Sequence, residues 1–407
     1  MLFVCLALAG CSAAGSPERP GDVSAPPATR QTKSLYPVTF EGRYGFMDRT
    51  GKLVINLPPD VYNIRDFSEG VAVVAVRVAH THGRWGFVDE TGKVLIQPRF
   101  HLAKPFSEGL AAVVVSDDEN STGQLGYVDK TGAVVIKPQF SVSTGGDFAF
   151  SQGLAAVETR TGQWGYINKT GAVAIKAQFD FARGFSEGLA AVGMNETQYS
   201  LDKRFGYIDL QGNWVVRPRF TRGENFSEGL AAVAEGGKVG YINRKGEVVI
   251  KPQFEDGPPC LEELGAESRI DFSEGLAAVS VGSKWGYIDQ TGRVVIEPRY
   301  DCAQQFSEGL AAVGMRTDSG DIRIGYIDKA GQPVIEARFT GARAFSGGLA
   351  LVAVGGPDAA ALEKMSREAE RGKSARAFEK LPEGNVKKFG YIDKSGRYVW
   401  TPTQEPQ

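Results

Sequence analysis

The amino-acid sequence predicts an all-β repeat protein, and three observations carry the prediction. An aromatic-Gly-aromatic-aliphatic-(Asp/Asn)-x-x-Gly motif returns nine times along the 407 residues. Its first eight copies stand 41, 40, 39, 41, 34, 46 and 39 residues apart, a fixed period that marks stacked supersecondary units. Glycine is abundant, 51 residues, yet lacks the every-third spacing of collagen, so it signals tight turns. With 42% apolar and 23% charged residues the chain has the make-up of a folded protein larger than one small core, and neither wholesale disorder nor a multi-span membrane protein fits. A net charge of −2 removes the electrostatic case for a nucleic-acid binder.

The chain opens with residues 1–11, a short apolar run ending Leu8-Ala9-Gly10-Cys11. It is too short to span a bilayer, which takes about 20 residues, and reads as the apolar part of a signal peptide. The Leu-Ala-Gly-Cys tetrapeptide resembles the bacterial lipobox, although the positively charged start of such signals is missing. The resemblance implies that Cys11 becomes the lipidated first residue, that the membrane is reached through a lipid anchor only, and that the address is the cell envelope. Ser12 after the cysteine, in place of the aspartate of inner-membrane retention, favours the outer membrane or a periplasm-facing position. Residues 12–35, with Pro17, Pro20, Pro26 and Pro27 among small polar residues, cannot bury enough surface to fold and form a tether.

Residues 36–403 are the repeat domain. Within a unit, Trp164-Gly165-Tyr166-Ile167 is an aromatic-rich strand, Asn168 to Gly171 a turn, and Ala172 to Ile175 the returning strand. Asp or Asn opening the turn and Gly closing it suit a type I turn with a positive-φ glycine, which gives nine hairpins. Five returning strands run into Pro-x-Phe/Tyr, as at Pro98, Pro138, Pro218, Pro252 and Pro298, where a residue with no ladder donor marks a strand end or an edge. Phe-Ser-Glu-Gly-Leu-Ala-Ala-Val follows, intact from Phe106, Phe185, Phe226, Phe272 and Phe306, as a turn and a third short strand.

These residues resemble the bacterial WG repeat, also called the KWG repeat, over the span from Tyr44 to Pro402. The repeat-defining positions are Gly45, Trp85, Gly86, Gly126, Trp164, Gly165, Gly206, Gly240, Trp285, Gly286, Gly325 and Gly390. The tryptophan survives only at Trp85, Trp164 and Trp285, so the position acts mainly as core filling. The resemblance implies an interaction role rather than a defined activity.

Nine hairpins separated by eight Ser-x-Gly turns do not tile a ring evenly, and three strands per unit fall short of a four-stranded blade. The expected architecture is therefore an open, twisted β-solenoid-like array, with an eight-bladed β-propeller as the alternative. Insertions at 77–84, 116–124, 193–204, 314–323 and 355–388 all fall between the third strand and the next hairpin, so one rim carries the variation. The longest holds a helical insertion at 357–384, read from its Ala-, Glu-, Lys- and Arg-rich composition and partial apolar stripe.

No motif points to catalysis. Gly-x-Ser-x-Gly, His-Glu-x-x-His and Cys-x-x-Cys are missing, and Gly372-Lys373-Ser374 lacks the first glycine of a phosphate loop. Glu69, Glu108, Glu187, Glu228, Glu274 and Glu308 form a potential row of carboxylates, but without the alternating ligands of a calcium site they read as solvated turn residues. His80, His82 and His101 read as loop histidines rather than a metal site. Cys260 and Cys302 are left as either a disulfide or two buried thiols. No enzyme, no metal and no cofactor are expected. The expected function is a lipid-anchored extracytoplasmic scaffold that binds an envelope protein through its loop rim. The alternative is a glycan or peptidoglycan binder using Tyr199, Trp214 or Trp400 as stacking rings.

Overall fold

The computed structural model describes residues 34–78, 83–116, 123–143, 146–195, 203–257, 270–355 and 387–404. Residues 1–33, with Cys11 and most of the tether, and the expected helix at 357–384 lie outside them. Among the described residues every regular element is a strand.

The strands form nine antiparallel sheets, each hydrogen-bonding its strands in chain order. They lie at 36–56, 61–100, 102–140, 154–179, 181–220, 222–254, 276–300, 302–339 and 341–404, and are blades one to nine. Blade three shows the full form: Leu102–Ala103, Ala111–Val115, Gln124–Val128 and Val134–Phe140. Six blades have four strands; blades one, four and seven have three.

The two turn motifs make the first and third connections of a blade and therefore lie on one face. In Ser-Glu-Gly-Leu, Ser107 and Leu110 exchange backbone hydrogen bonds while Glu108 and Gly109 take φ of 52° and 86°. That is a two-residue type I′ turn, whose twist matches the flanking strands. In Asp-x-x-Gly, the Gly132 N–H bonds to the Asp129 carbonyl, and the Asp129 carboxylate accepts from Thr131 and Ala133. All nine copies keep this backbone bond, as the expected type I turn requires.

Each interface between blades repeats the same contacts. The second aromatic of the Gly motif meets the Phe of the next blade's Phe-Ser-Glu-Gly turn, as in Tyr127 with Phe150 (4.9 Å), Tyr241 with Phe272 (4.9 Å) and Tyr326 with Phe345 (4.9 Å). The ninth interface joins the last blade to the first: Tyr391 meets Tyr36 at 5.5 Å, and Tyr36 Oη donates to the Gly347 carbonyl at 2.7 Å. Tyr36, Val38 and Met47 share a buried cluster there with Leu349 and Tyr391.

The structure is thus a closed nine-bladed β-propeller, which corrects both the expected open solenoid-like array and the eight-bladed alternative. The mismatch of nine hairpins and eight Ser-x-Gly turns has a local cause. Among the described residues blade one begins at strand Tyr36–Phe40 without the turn or the short strand, and the Tyr36 ring takes the place of the turn's Phe. The fourth strand eludes the sequence because it is only two residues long, as at Phe181–Ala182 or Gly341–Ala342. In blades four and seven it shrinks to single bridges, Ser141 with Glu158 and Glu255 with Ser280.

The short strands form the inner edge of the ring. Arg343 of blade nine lies 3.9 Å from Asp66 of blade two, although blade one stands between them. Such an approach is possible where blades converge and one contributes no fourth strand among the described residues. The opposite edge is the seven-residue strand such as Val134–Phe140, whose pattern is mostly exposed.

Candidate interaction face

The face carrying the two turn motifs is occupied by bonds between blades. Ser107 Oγ donates to the Phe150 carbonyl of the next blade at 2.6 Å, and Ser186, Ser227 and Ser307 do the same to Phe226, Phe272 and Phe345. The glutamates beside them accept the next blade's turn amide: Gly153 N–H to Glu108 at 3.0 Å, Gly275 to Glu228 at 2.9 Å, Gly348 to Glu308 at 3.0 Å. Lysines of the neighbouring Asp-x-x-Gly turns complete the arrangement, Lys169 on Glu108 at 3.0 Å, Lys329 on Glu274 at 3.0 Å and Lys394 on Glu308 at 3.1 Å. The carboxylate row foreseen as solvated is instead a ring of clamps. The sequence signal for it was present, a Lys one residue after the turn Asp in the following repeat. For Glu108 burial raises the carboxyl pKa, but the Lys169 ammonium and the Gly153 N–H outweigh it and hold the group below its ordinary value. Among the described residues no three His, Cys, Asp or Glu side chains converge as metal ligands. His80 and His82 lie outside the described residues.

At the inner edge Tyr hydroxyls tie blade to blade. Tyr166 donates to the Arg183 carbonyl and Tyr287 to the Gln304 carbonyl, each at 2.8 Å, and burial pushes both phenols up. A chain of charges crosses blades five to seven there: Arg183 to Glu224 at 2.8 Å, Glu224 to Arg222 at 2.6 Å and Arg222 to Asp256 at 2.6 Å. Buried Cys302, in the short strand of blade eight, is disulfide-bonded, and its partner lies outside the described residues.

The opposite face receives every insertion. The strands flanking them end in cross-strand pairs, Val76 with Arg84, Val115 with Gln124, Asn195 with Lys203, Arg316 with Ile322 and Val354 with Lys388. All five loops therefore leave the ring at the same end of their blades.

The repeat-defining residues are interior. Trp85, Trp164 and Trp285 are buried. A Cβ on Gly86 would stand 2.6 Å from the Ile96 carbonyl and 2.7 Å from the Pro98 nitrogen, and the same crowding recurs at Gly126, Gly165 and Gly240. Of the rings considered for sugar stacking, Trp214 packs edge-on against Phe179 of blade four at 5.8 Å, and Trp400 packs on the cluster at the closing interface. Tyr199 lies outside the described residues.

The chain is similar to known proteins in its repeats and in its fold. The sequence model of the family described as "WG containing repeat" matches nine segments, 44–77, 85–117, 126–160, 164–197, 205–238, 240–258, 269–285, 285–316 and 324–356, together well over half of the chain. No curated protein sequence matches the chain. Among solved structures, a crystal structure of the eukaryotic initiation factor is similar with a TM-score of 0.60 and 12% identity, over 92% of this chain and 97% of that one. At that identity the likeness concerns the fold alone. BamB from Moraxella catarrhalis is similar at a TM-score of 0.42 and 12% identity, over 69% of this chain and 93% of that one. The β-propeller domain of the Trilobed protease from Pyrococcus furiosus is similar at 0.40 and 9% identity, over 84% and 97%.

Proposed function

The chain belongs to the WG repeat family, and from this premise we propose that it is a protein-interaction scaffold that binds its partner through the loop-bearing face of the propeller, without catalysis of its own. One observation carries the reading. The turn face spends its serines, glutamates and lysines on bonds between blades, whereas all five insertions leave from the other face. Variable loops held on a rigid ring are where repeat proteins place recognition. The reading includes lipid attachment at Cys11 and an envelope partner outside the cytoplasm, supported by the Leu-Ala-Gly-Cys tetrapeptide and the proline-rich stretch after it.

The test is capture of partners from envelope extract by the ring with and without residues 196–202 and 357–383. Loss of the captured protein on trimming, with an unchanged melting temperature, is expected; equal capture by both forms overturns the loop face. Incorporation of labelled palmitate, lost in Cys11→Ala, tests the anchor separately.

A further inference from the structure

The outer edges of the blades are not equivalent. Eight blades end in a seven-residue outer strand. Seven of these contain a proline: Pro98, Pro138, Pro218, Pro252, Pro298, Pro333 and Pro402. Proline on an edge strand removes a donor and blunts the edge against pairing with another chain. The outer strand of blade four, Val173–Phe179, reads Val-Ala-Ile-Lys-Ala-Gln-Phe and has none. Ala177 stands where six other blades carry proline, and blade eight, with Ala337 there, has its proline at the head of the strand. Val173, which opens the strand, is the most exposed large apolar residue described, at 66%.

Charge adds a second observation. The residue after the buried Ile or Val of the outer strand is Lys137, Lys176, Arg217 and Lys251 on blades three to six, and all four are exposed. None of the four side chains has a hydrogen bond or ion pair among the described residues. The same position is Glu297 and Glu336 on blades seven and eight. This strand, which keeps the bulge of the other outer strands but lacks their proline, thus sits inside a basic arc whose charges have no ion-pair partner among the described residues, unlike the lysines of the turn face.

We propose that the outer strand of blade four is a β-addition site that accepts an extended acidic segment of a partner protein. The segment pairs with the backbone groups of Val173–Phe179 on the side away from its ladder partner Trp164–Asn168, places an apolar side chain beside Val173, and sets carboxylates against Lys137, Lys176 and Arg217. Main-chain bonds supply affinity and alternate side chains supply selectivity in such pairing. A second copy of this edge is disfavoured as the occupant, because two copies of Lys176 would be brought together. The site stands apart from the loop face.

A short labelled peptide of alternating glutamate and valine is the probe, followed by fluorescence anisotropy on the full chain, with a lysine-valine peptide as control. The acidic peptide is expected to saturate and to slow amide exchange across Val173–Phe179. Ala177→Pro is expected to weaken it about tenfold or more while leaving the circular dichroism spectrum and melting temperature unchanged, since other blades fold with proline there. Lys176→Glu should shift the preference toward the lysine peptide. Unchanged binding in Ala177→Pro, or amide protection elsewhere on the ring, overturns the proposal. So does self-association that Ala177→Pro abolishes without peptide binding. Deleting the loops at 196–202 and 357–383 should leave peptide binding unchanged, which separates this site from the loop-face reading.

Discussion

At the residue scale, the glutamate of the type I′ turn is a local conflict resolved by its neighbours. Glu69, Glu108, Glu187, Glu228, Glu274 and Glu308 all hold φ between 51° and 54°, a region that costs an L-residue about 1–2 kcal/mol. Asn or Gly would relieve that cost, but neither reaches the next blade's amide and lysine as Glu does. Glu274→Ala, which loses the Gly309 and Lys329 contacts and keeps the unfavourable backbone, should cost about 1–3 kcal/mol, and Glu274→Gly should cost less. Chemical unfolding curves compare the two, and an alanine variant no worse than the glycine one would refute the backbone argument. A pH effect follows from the same groups. Glu108 and Glu274 are held below the ordinary 4.5 because, although burial raises them, Lys169 and Lys329 and the turn amides outweigh it. A depressed folded pKa means their contribution is fully present above the unfolded value and is lost as pH falls through the folded one. Stability should therefore fall below about pH 4.5. Glu108→Gln with Glu274→Gln should flatten part of that fall, since Gln152 shows that an amide can accept the Gly188 N–H in the same place.

At the scale of the element, the hairpins were legible and the short strands were not. An Asp-x-x-Gly turn announces itself because both residue types answer to one geometry, a side-chain acceptor for the turn amides and a φ of 84° at Gly132. Leu102–Ala103 has no such signature, since two residues bonded to Val113 and Val114 need no particular side chain. The strand glycine was legible as a repeat mark, but its reason was not. It lies under the bulge of the outer strand, where a side chain would meet a carbonyl oxygen. Gly86→Ala should accordingly cost about 2–3 kcal/mol, the scale of overpacking a core, read as a lowered denaturation midpoint. Tyr166→Phe keeps the ring and leaves the Arg183 carbonyl unpaired, for an expected loss of about 1–2 kcal/mol by the same measurement. A loss no greater than at an exposed control site would show that the hydroxyl bond does not stabilise the interface.

For the whole molecule, closure depends on a seam unlike the other interfaces. The Phe-Ser-Glu-Gly turn of blade nine reads Phe345-Ser346-Gly347-Gly348, and the space a side chain at Gly347 would take is filled by the Tyr36 hydroxyl. Restoring the usual residue should thus damage the ring: Gly347→Glu is expected to lower the melting temperature more than Tyr36→Phe, which forfeits one hydrogen bond worth about 1 kcal/mol. The reverse order would mean that the seam tolerates a gap. Counting motifs could not reveal this closure, because the residue that completes it, Tyr36, stands in Leu35-Tyr36-Pro37-Val38, which keeps the Leu and Val of Leu-Ala-Ala-Val but replaces both alanines. The choice of face was more accessible, since insertions and turns alternate along the chain and antiparallel strands put them at opposite ends.

The seam also gives the ring a mechanical direction. Tension entering the chain at Ser34 is applied first to strand Tyr36–Phe40, which has a hydrogen-bonded neighbour on one side among the described residues. That strand can peel from its partner one bond at a time and take with it the Tyr36 ring that joins the ends of the circle. The remaining blades would keep the interfaces they already share. Under load the propeller should behave as a clasp that opens at blade one, converting a pull on the N-terminal chain into an opened ring before any other blade gives way.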